Sequence, residues 1–150
     1  MASKASVGAQ ISLDGEKSYK QAIKDIVAQL KSLQAEQKKI AAQFEQTNNA
    51  QRYNTQSAQN LSDQIQVQQK YIAELTNHYQ KQVDQLGIFN SETLKTKASV
   101  EKAEAALADL NKQLVNVNAL DQVTQKEKLL ASELDEVKAK FELDGNTKEK

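Results

Sequence analysis

Apolar residues recur at alternating steps of three and four along most of this chain, and this spacing constrains the fold more than any other feature. Side chains three and four residues apart share one face of an α-helix, so such a run forms a single apolar stripe. A stripe sustained over several heptads is typical of helices that pack as coiled coils. The first stripe has one polar member, Gln37, and consists of Tyr19, Ile23, Ile26, Leu30, Leu33, Gln37, Ile40 and Phe44.

Three further stripes follow the same spacing. The second consists of Ala58, Leu61, Ile65, Gln68, Ile72, Leu75, Tyr79, Gln82 and Leu86. The third and fourth consist of Val100, Ala103, Leu107, Leu110, Leu114 and Val117, and of Leu120, Val123, Glu127, Leu130, Leu134, Val137 and Phe141. The step from Val117 to Leu120 is three where four is due, and this phase slip near 117–120 predicts a kink, a change of supercoil or a turn. The predicted fold class is all-α, with elongated coiled-coil helices or antiparallel helical hairpins.

The N-terminal residues depart from this helical pattern. Apolar side chains there occupy every second position, as in a β-strand. The alternating residues are Val7, Ala9, Ile11 and Leu13. The pair Asp14-Gly15 then ends the alternation, and the Asp14 carboxylate can accept hydrogen bonds from the first turn of a following helix. We therefore expect residues 1–15 to form a short strand-like segment that caps the first helix.

The remaining boundaries follow from turn residues. Gly87 is expected to end a helix because glycine readily takes the left-handed conformation there, and Asn90 or Ser91 can cap the next helix. Asp144-Gly145-Asn146 is expected to end the last helix. The predicted organisation is a helical hairpin or long coiled coil over 16–86, a break over 87–91, a helical coiled coil over 92–143 and a flexible tail over 144–150.

Two arrangements of the first two stripes remain open. Residues 47–56 are polar but lack glycine and proline, so one continuous helix is compatible with the sequence. An antiparallel hairpin with a turn near Asn48 and Asn49 is favoured. In the register considered, Phe44 faces Leu61, and Gln37 faces Gln68. A buried amide pair of this kind can set the register of two helices.

Composition argues against several functional classes. Lysine and arginine balance aspartate and glutamate at 20 each and interleave with them, whereas phosphate binding uses clustered excess cations. There is no cysteine, and the single histidine, His78, has no partner at metal-ligand spacing, so we interpret it as a surface residue. No apolar run approaches the roughly 18 residues of a membrane span. We expect a non-enzymatic protein without catalytic residues, cofactor, metal, nucleic-acid binding or a membrane span in this segment.

The opening residues resemble the N-terminal start of tail tape measure proteins from phages and prophages of Gram-positive bacteria. The resemblance lies in "GAQISLDGEK" at 8–17, "YKQAIKDI" at 19–26 and "LKSLQAEQKKIAAQFEQTNNAQ" at 30–51. It implies a structural virion-assembly protein around which the tail tube polymerises, so that chain length sets tail length. The implied partners are the tail tube protein, tail assembly chaperones and other tail proteins. The implied location is the host cytoplasm during assembly and the tail lumen in the virion.

Members of that family usually run to many hundreds of residues. We therefore expect this chain to be an N-terminal fragment, a truncated prophage remnant or a short relative with another role. The alternative function is a cellular coiled-coil adaptor or oligomerisation module, which would also self-associate through heptad seams.

Overall fold

Three long helices make up the computed structural model, which describes the backbone of residues 15–149 and the side chains of residues 15–142. Helix α1 spans Glu16–Thr47, α2 spans Ala50–Leu86 and α3 spans Ser91–Glu149. The predicted all-α class is confirmed. The predicted strand-like segment and its Asp14 cap lie outside the described residues, and the first residue of α1 is preceded by Gly15, at a φ of 73°.

Helix α2 is the central element, because α1 and α3 each pack along it. Tyr19 near the start of α1 stacks on His78 near the end of α2, whereas Phe44 near the end of α1 contacts Tyr53 near the start of α2. The two helices are therefore antiparallel, and the continuous helix that the sequence left open is not formed. Helix α3 turns back in the same way to run antiparallel to α2.

The first turn consists of two asparagines and lies where the hairpin was predicted to turn. Asn48 adopts the left-handed conformation with a φ of 52°, and its backbone N–H donates to the Phe44 carbonyl at 2.7 Å. Asparagine tolerates this conformation better than most residues. The Asn49 Oδ1 then accepts a hydrogen bond from the Arg52 N–H at 3.0 Å, which caps α2.

The second turn is set by glycine and a third asparagine. Gly87 has a φ of 90°, and its N–H donates to the carbonyls of Gln82 and Val83. The Asn90 Oδ1 accepts from the Glu92 N–H at 2.9 Å. Of the two residues predicted to cap α3, Asn90 is the cap, because its side-chain oxygen accepts from the N–H of the second helical residue. Ser91 is the first residue of the helix.

The hairpin register differs from the one considered in the sequence. Phe44 contacts Tyr53 at a ring-centroid distance of 4.8 Å, whereas the predicted register paired it with Leu61. The difference corresponds to roughly two helical turns. A periodic stripe matches another at several offsets, and the tight turn at Asn48-Asn49 selects one of them.

Helix α3 is longer than its neighbours and has no interruption. It contains 59 residues, against 37 in α2. The helix continues through 117–120, so the turn predicted as one possibility there is not formed. This segment contains neither glycine nor proline to interrupt the helix. The helix also continues through Gly145 to Glu149, so the predicted helix end at 144–146 is wrong. One glycine within a helix costs only about 1 kcal/mol and does not end the helix by itself.

The phase slip marks a change in the side of α3 that carries the apolar residues. The row of α3 that faces α2 keeps its regular spacing past Val117 and is buried or half-buried throughout; it comprises Thr93, Thr96, Val100, Ala103, Leu107, Leu110, Leu114, Val117, Asp121 and Thr124. Leu120 and Val123 stand one residue aside from this row and are 54% and 51% exposed. One residue corresponds to about 100° around a helix. The apolar stripe therefore leaves the α2-facing side of α3 at the slip.

Candidate functional site

The interior of the helix array is unusually polar, and α2 supplies most of the polar groups. Its first half carries a row of buried polar residues, called here the α2 polar stripe: Asn54, Ser57, Asn60, Gln64 and Gln68. The buried apolar residues are Ile26, Ile40, Leu61, Ile65, Leu75 and Ala103. Burying a polar group costs free energy unless the group forms a hydrogen bond, and most buried polar groups do. The hydrogen-bond partners of the stripe therefore show which helices it holds together.

One side of the α2 polar stripe bonds to α1. The Asn60 Nδ2 donates to the Leu33 carbonyl at 2.9 Å. The Asn60 Oδ1 accepts from the Gln64 Nε2 at 2.6 Å, so the two amides form a connected pair. The Gln37 Nε2 donates to the Ser57 Oγ at 3.1 Å. These bonds tie specific residues of α1 to specific residues of α2.

The other side of the stripe bonds to α3. The Gln68 Nε2 donates to the Ala103 carbonyl at 2.9 Å. The Asn54 Nδ2 donates to the Thr124 Oγ1 at 3.3 Å, near the start of α2. Because hydrogen bonds are directional and apolar contacts are not, these amides select one axial position of each helix against α2.

The two glutamines predicted to set the register do not pair with each other. Gln37 bonds to Ser57, and its Oε1 is buried without a hydrogen-bond partner, while Gln68 bonds to α3. Both line one groove of about 400 Å³ between α1 and α3, together with Leu30 and Leu110. Each glutamine therefore forms a hydrogen bond between two helices, but with a different partner from the predicted one.

His78 is not the surface residue that the sequence suggested. Its side chain is 8% exposed, and its ring stacks on Tyr19 at a centroid distance of 3.7 Å and an interplanar angle of 4°. Burial lowers the pKa of His78, Lys81 and Lys20 lower it further, and Glu16 opposes them. The neutral imidazole is therefore the form that packs in this end of the α1–α2 interface.

Acid is expected to weaken the fold through His78. Its folded-state pKa lies below the ordinary value of 6.5, so the unfolded chain binds a proton more readily, and the stability is lost as pH falls from about 6.5 through the lowered pKa. The melting temperature of the native chain should fall faster than that of His78→Phe over this range. Phenylalanine keeps a ring against Tyr19 but cannot titrate. Parallel curves for the two proteins would contradict this prediction.

The sequence contains a signal for these buried groups that the apolar stripes obscured. The members of the α2 polar stripe follow one another at steps of three and four residues. His78 lies three residues after Leu75 and four before Gln82, which is the same spacing. Gln68 belongs to the apolar stripe itself, whereas Asn54, Ser57, Asn60, Gln64 and His78 form a second row beside it. The central helix needs two rows because it has two neighbours.

No recognisable catalytic constellation emerges from the described residues. Among residues 15–142, no three His, Cys, Asp or Glu side chains are placed to hold a metal ion. The groove beside the His78–Tyr19 stack is open and has a volume of about 300 Å³, with Gly15 and Glu74 among its lining residues. The stack itself places only the His78 imidazole against the Tyr19 phenol ring.

The exposed end of α3 is the other conspicuous surface. Lys128 Nζ donates to Gln51 Oε1 near the start of α2, and every described side chain from 125 to 142 is exposed. Residues 129–149 are called here the α3 extension. Its apolar row, the extension seam, comprises Leu130, Leu134, Val137 and Phe141, which are 63%, 53%, 61% and 79% exposed. Contiguous exposed apolar rows of this kind mark protein–protein contact sites.

None of the helices within the described residues combines the length and apolar character needed to cross a lipid bilayer. Comparison of the chain with family models, with curated proteins and with solved structures finds no match in any of the three.

Proposed function

We propose that this chain is a non-catalytic helical scaffold that works by helix-mediated protein binding along α3, and that it forms the N-terminal helical part of a phage tail tape measure protein. The observation that carries the scaffold role is the extension seam, because a long helix that presents an apolar row to solvent is suited to helix-mediated binding. The tape measure assignment is supported by the resemblance at 8–17, 19–26 and 30–51, much of which lies in α1.

The folded-back arrangement of the helices changes the length that such a ruler would set. A continuous helix of the whole chain would span about 225 Å, whereas the 59 residues of α3 span only about 88 Å. Helices α1 and α2 run beside α3 and add little to this length. A ruler that keeps this fold therefore measures α3 alone, together with whatever lies in line with it.

A second candidate is a cellular adaptor or oligomerisation module. It is favoured by the amide bonds that hold α1 and α3 on α2, since these stabilise a compact helix array and not a linear helix. In this case the array positions α3, and the extension seam binds a partner helix. The partner helix would then carry its own apolar row at heptad spacing, which packs against the extension seam.

Deletion of two heptads distinguishes the two candidates. In a phage whose tail assembles with this chain, removing residues 129–142 should shorten the tail by about 21 Å if α3 acts as the ruler. Mean tail length is measured by electron microscopy of many particles. Tails of unchanged length would contradict the tape measure proposal and leave the adaptor, for which the same deletion abolishes partner binding.

A matched deletion shows which form of the chain acts as the ruler. One heptad is removed from α1 and one from α2 on either side of the Asn48-Asn49 turn, so that the hairpin shortens but α3 does not. A folded-back ruler predicts an unchanged tail length. A chain that opens into one helix inside the tube predicts the same shortening of about 21 Å as the first deletion.

A further inference from the structure

We propose that a second copy of this chain binds the extension seam, and that the two α3 helices pair antiparallel as a two-stranded coiled coil centred near residues 135 and 136. This inference does not depend on the proposed function, because it concerns only what covers an apolar row of α3. Its evidence is the direction in which the seam points, the order of charges beside it and the path of α3 before it.

The direction of the seam leaves it open to a partner. Beyond Val117 the α2-facing row of α3 continues through Asp121 and Thr124, while the apolar row runs one residue aside, about 100° around the helix. A helix laid on the extension seam therefore approaches from a side that α2 does not occupy. The exposure of Leu120 and Val123 shows that this side is open even where α2 is still alongside.

An antiparallel pair covers the complete seam of both copies. The core of a coiled coil consists of the a and d positions of the heptad, which here are Leu134 and Phe141 (a) and Leu130 and Val137 (d). In an antiparallel pair, each a position lies level with a d position of the other helix. Leu134 of one copy then lies level with Val137 of the other, and Leu130 lies level with Phe141. Repeated by the two-fold axis, these two contacts bury all four seam residues of each chain. Glu127 lies level with residue 144 and so marks where the apolar overlap ends.

Charges beside the seam distinguish between registers. With Leu134 level with Val137, Glu133 of each copy flanks the interface opposite Lys140 of the other, which gives two attractive pairs. Shifting the partner by one heptad places Glu133 opposite Glu133, and Lys126 opposite Lys140. Like charges at such positions are destabilising. The seam is thus self-complementary in one antiparallel register, which is the reason for choosing a second copy as the partner.

The path of α3 before the seam favours antiparallel over parallel pairing. A parallel pair would also place opposite charges together, Glu133 against Lys138. However, α3 is one uninterrupted helix from Ser91, so parallel pairing would bring the earlier parts of both α3 helices alongside each other. The side facing the partner there is polar and includes Lys102, Asp109 and Gln113, which would oppose their own copies. Antiparallel pairing sends the two helix arrays to opposite ends.

The first test is the mass of the full chain in solution, by sedimentation equilibrium over a range of micromolar concentrations. We expect a reversible dimer of 16.7 kDa chains. Leu134→Asp should raise the dissociation constant by about 100-fold or more, because it buries a carboxylate in the apolar seam. Leu129→Asp is the matched control: Leu129 is 60% exposed and lies outside the seam, so its dimer should persist.

The second test separates antiparallel from parallel pairing. Glu133→Lys should weaken the dimer about tenfold, since it reverses two exposed ion pairs. Addition of Lys140→Glu should restore the affinity in the antiparallel arrangement, whereas Lys138→Glu should restore it in the parallel one. Rescue by Lys138→Glu would overturn the antiparallel assignment.

A native chain that stays monomeric at all concentrations, or that forms a higher oligomer, would overturn the proposal. Equal effects of the Leu134→Asp and Leu129→Asp substitutions would also overturn it. Helical circular dichroism of each variant confirms folding, and retention is expected because these residues are exposed and outside the contacts with α2.

Discussion

Leu61→Ala is expected to lower the free energy of unfolding by about 2–5 kcal/mol. Leu61 lies in the first half of α2, and its side chain is only 3% exposed. Truncation to alanine removes buried methyl groups and leaves a cavity that the neighbouring helices fill only in part. Among residues 15–142 the buried apolar residues are few, so each accounts for a large share of the apolar contribution to stability there. Urea unfolding followed by circular dichroism measures the change.

The same substitution at an exposed leucine provides the control. Leu129→Ala changes the same side chain where 60% of it is already in water, and we expect a change within about 0.5 kcal/mol. If Leu61→Ala were as mild as this control, the interface around Leu61 could not belong to the packed core of the array.

Asn60→Ala is expected to lower the free energy of unfolding by about 1–3 kcal/mol, because it leaves the buried side-chain amide of Gln64 without a hydrogen-bond acceptor. Asn60 is 2% exposed and Gln64 is 5% exposed. The Asn60 Oδ1 is the acceptor for the Gln64 Nε2, so its removal leaves a buried N–H without a partner. The Leu33 carbonyl also loses a donor from the Asn60 amide. The unfolding free energy of the variant, from chemical denaturation, tests this expectation.

A double-mutant cycle isolates the coupled pair. Asn60→Ala/Gln64→Ala removes the unpaired donor as well, so its cost should fall short of the sum of the two single costs by about 0.5–3 kcal/mol. Gln59→Ala is the matched control, because Gln59 makes a comparable bond to Asp63 at 3.0 Å, but in an exposed position. It should change stability by about 0.5 kcal/mol or less. Additive costs for Asn60 and Gln64 would show that their bond contributes nothing.

Local signals in the sequence indicated the helices and the positions of both turns, but not the continuation of α3 through Gly145. The heptad spacing indicated the helices, and Asn48-Asn49 and Gly87 indicated where the chain reverses. The hairpin register was not predictable in the same way. Phe44 meets Tyr53 and not Leu61 because the length of the turn selects among offsets that a periodic stripe permits equally.

The buried polar groups were missed for a different reason. Asparagine, serine and glutamine are common on solvated helix faces, so Asn60 and Gln64 looked like surface residues until a second neighbour of α2 was known. That neighbour is not a local property of the chain. The extension seam was fully visible in the sequence. That no other described helix covers it depends on which side of α3 faces α2 and on the difference in length between α2 and α3.

An odd number of antiparallel helices carries the chain from one end of the array to the other. Gly15 lies beside Lys81 at the end of the array near Gly87, and α3 finishes beyond the opposite end, past Asn49. A pull applied between these two points acts along the helix axes and displaces α1 and α3 in opposite directions against α2. The bonds of the α2 polar stripe are then loaded together in shear and are not peeled apart one by one from a turn. The array therefore has the topology of a mechanical coupling, which transmits axial tension from one end to the other.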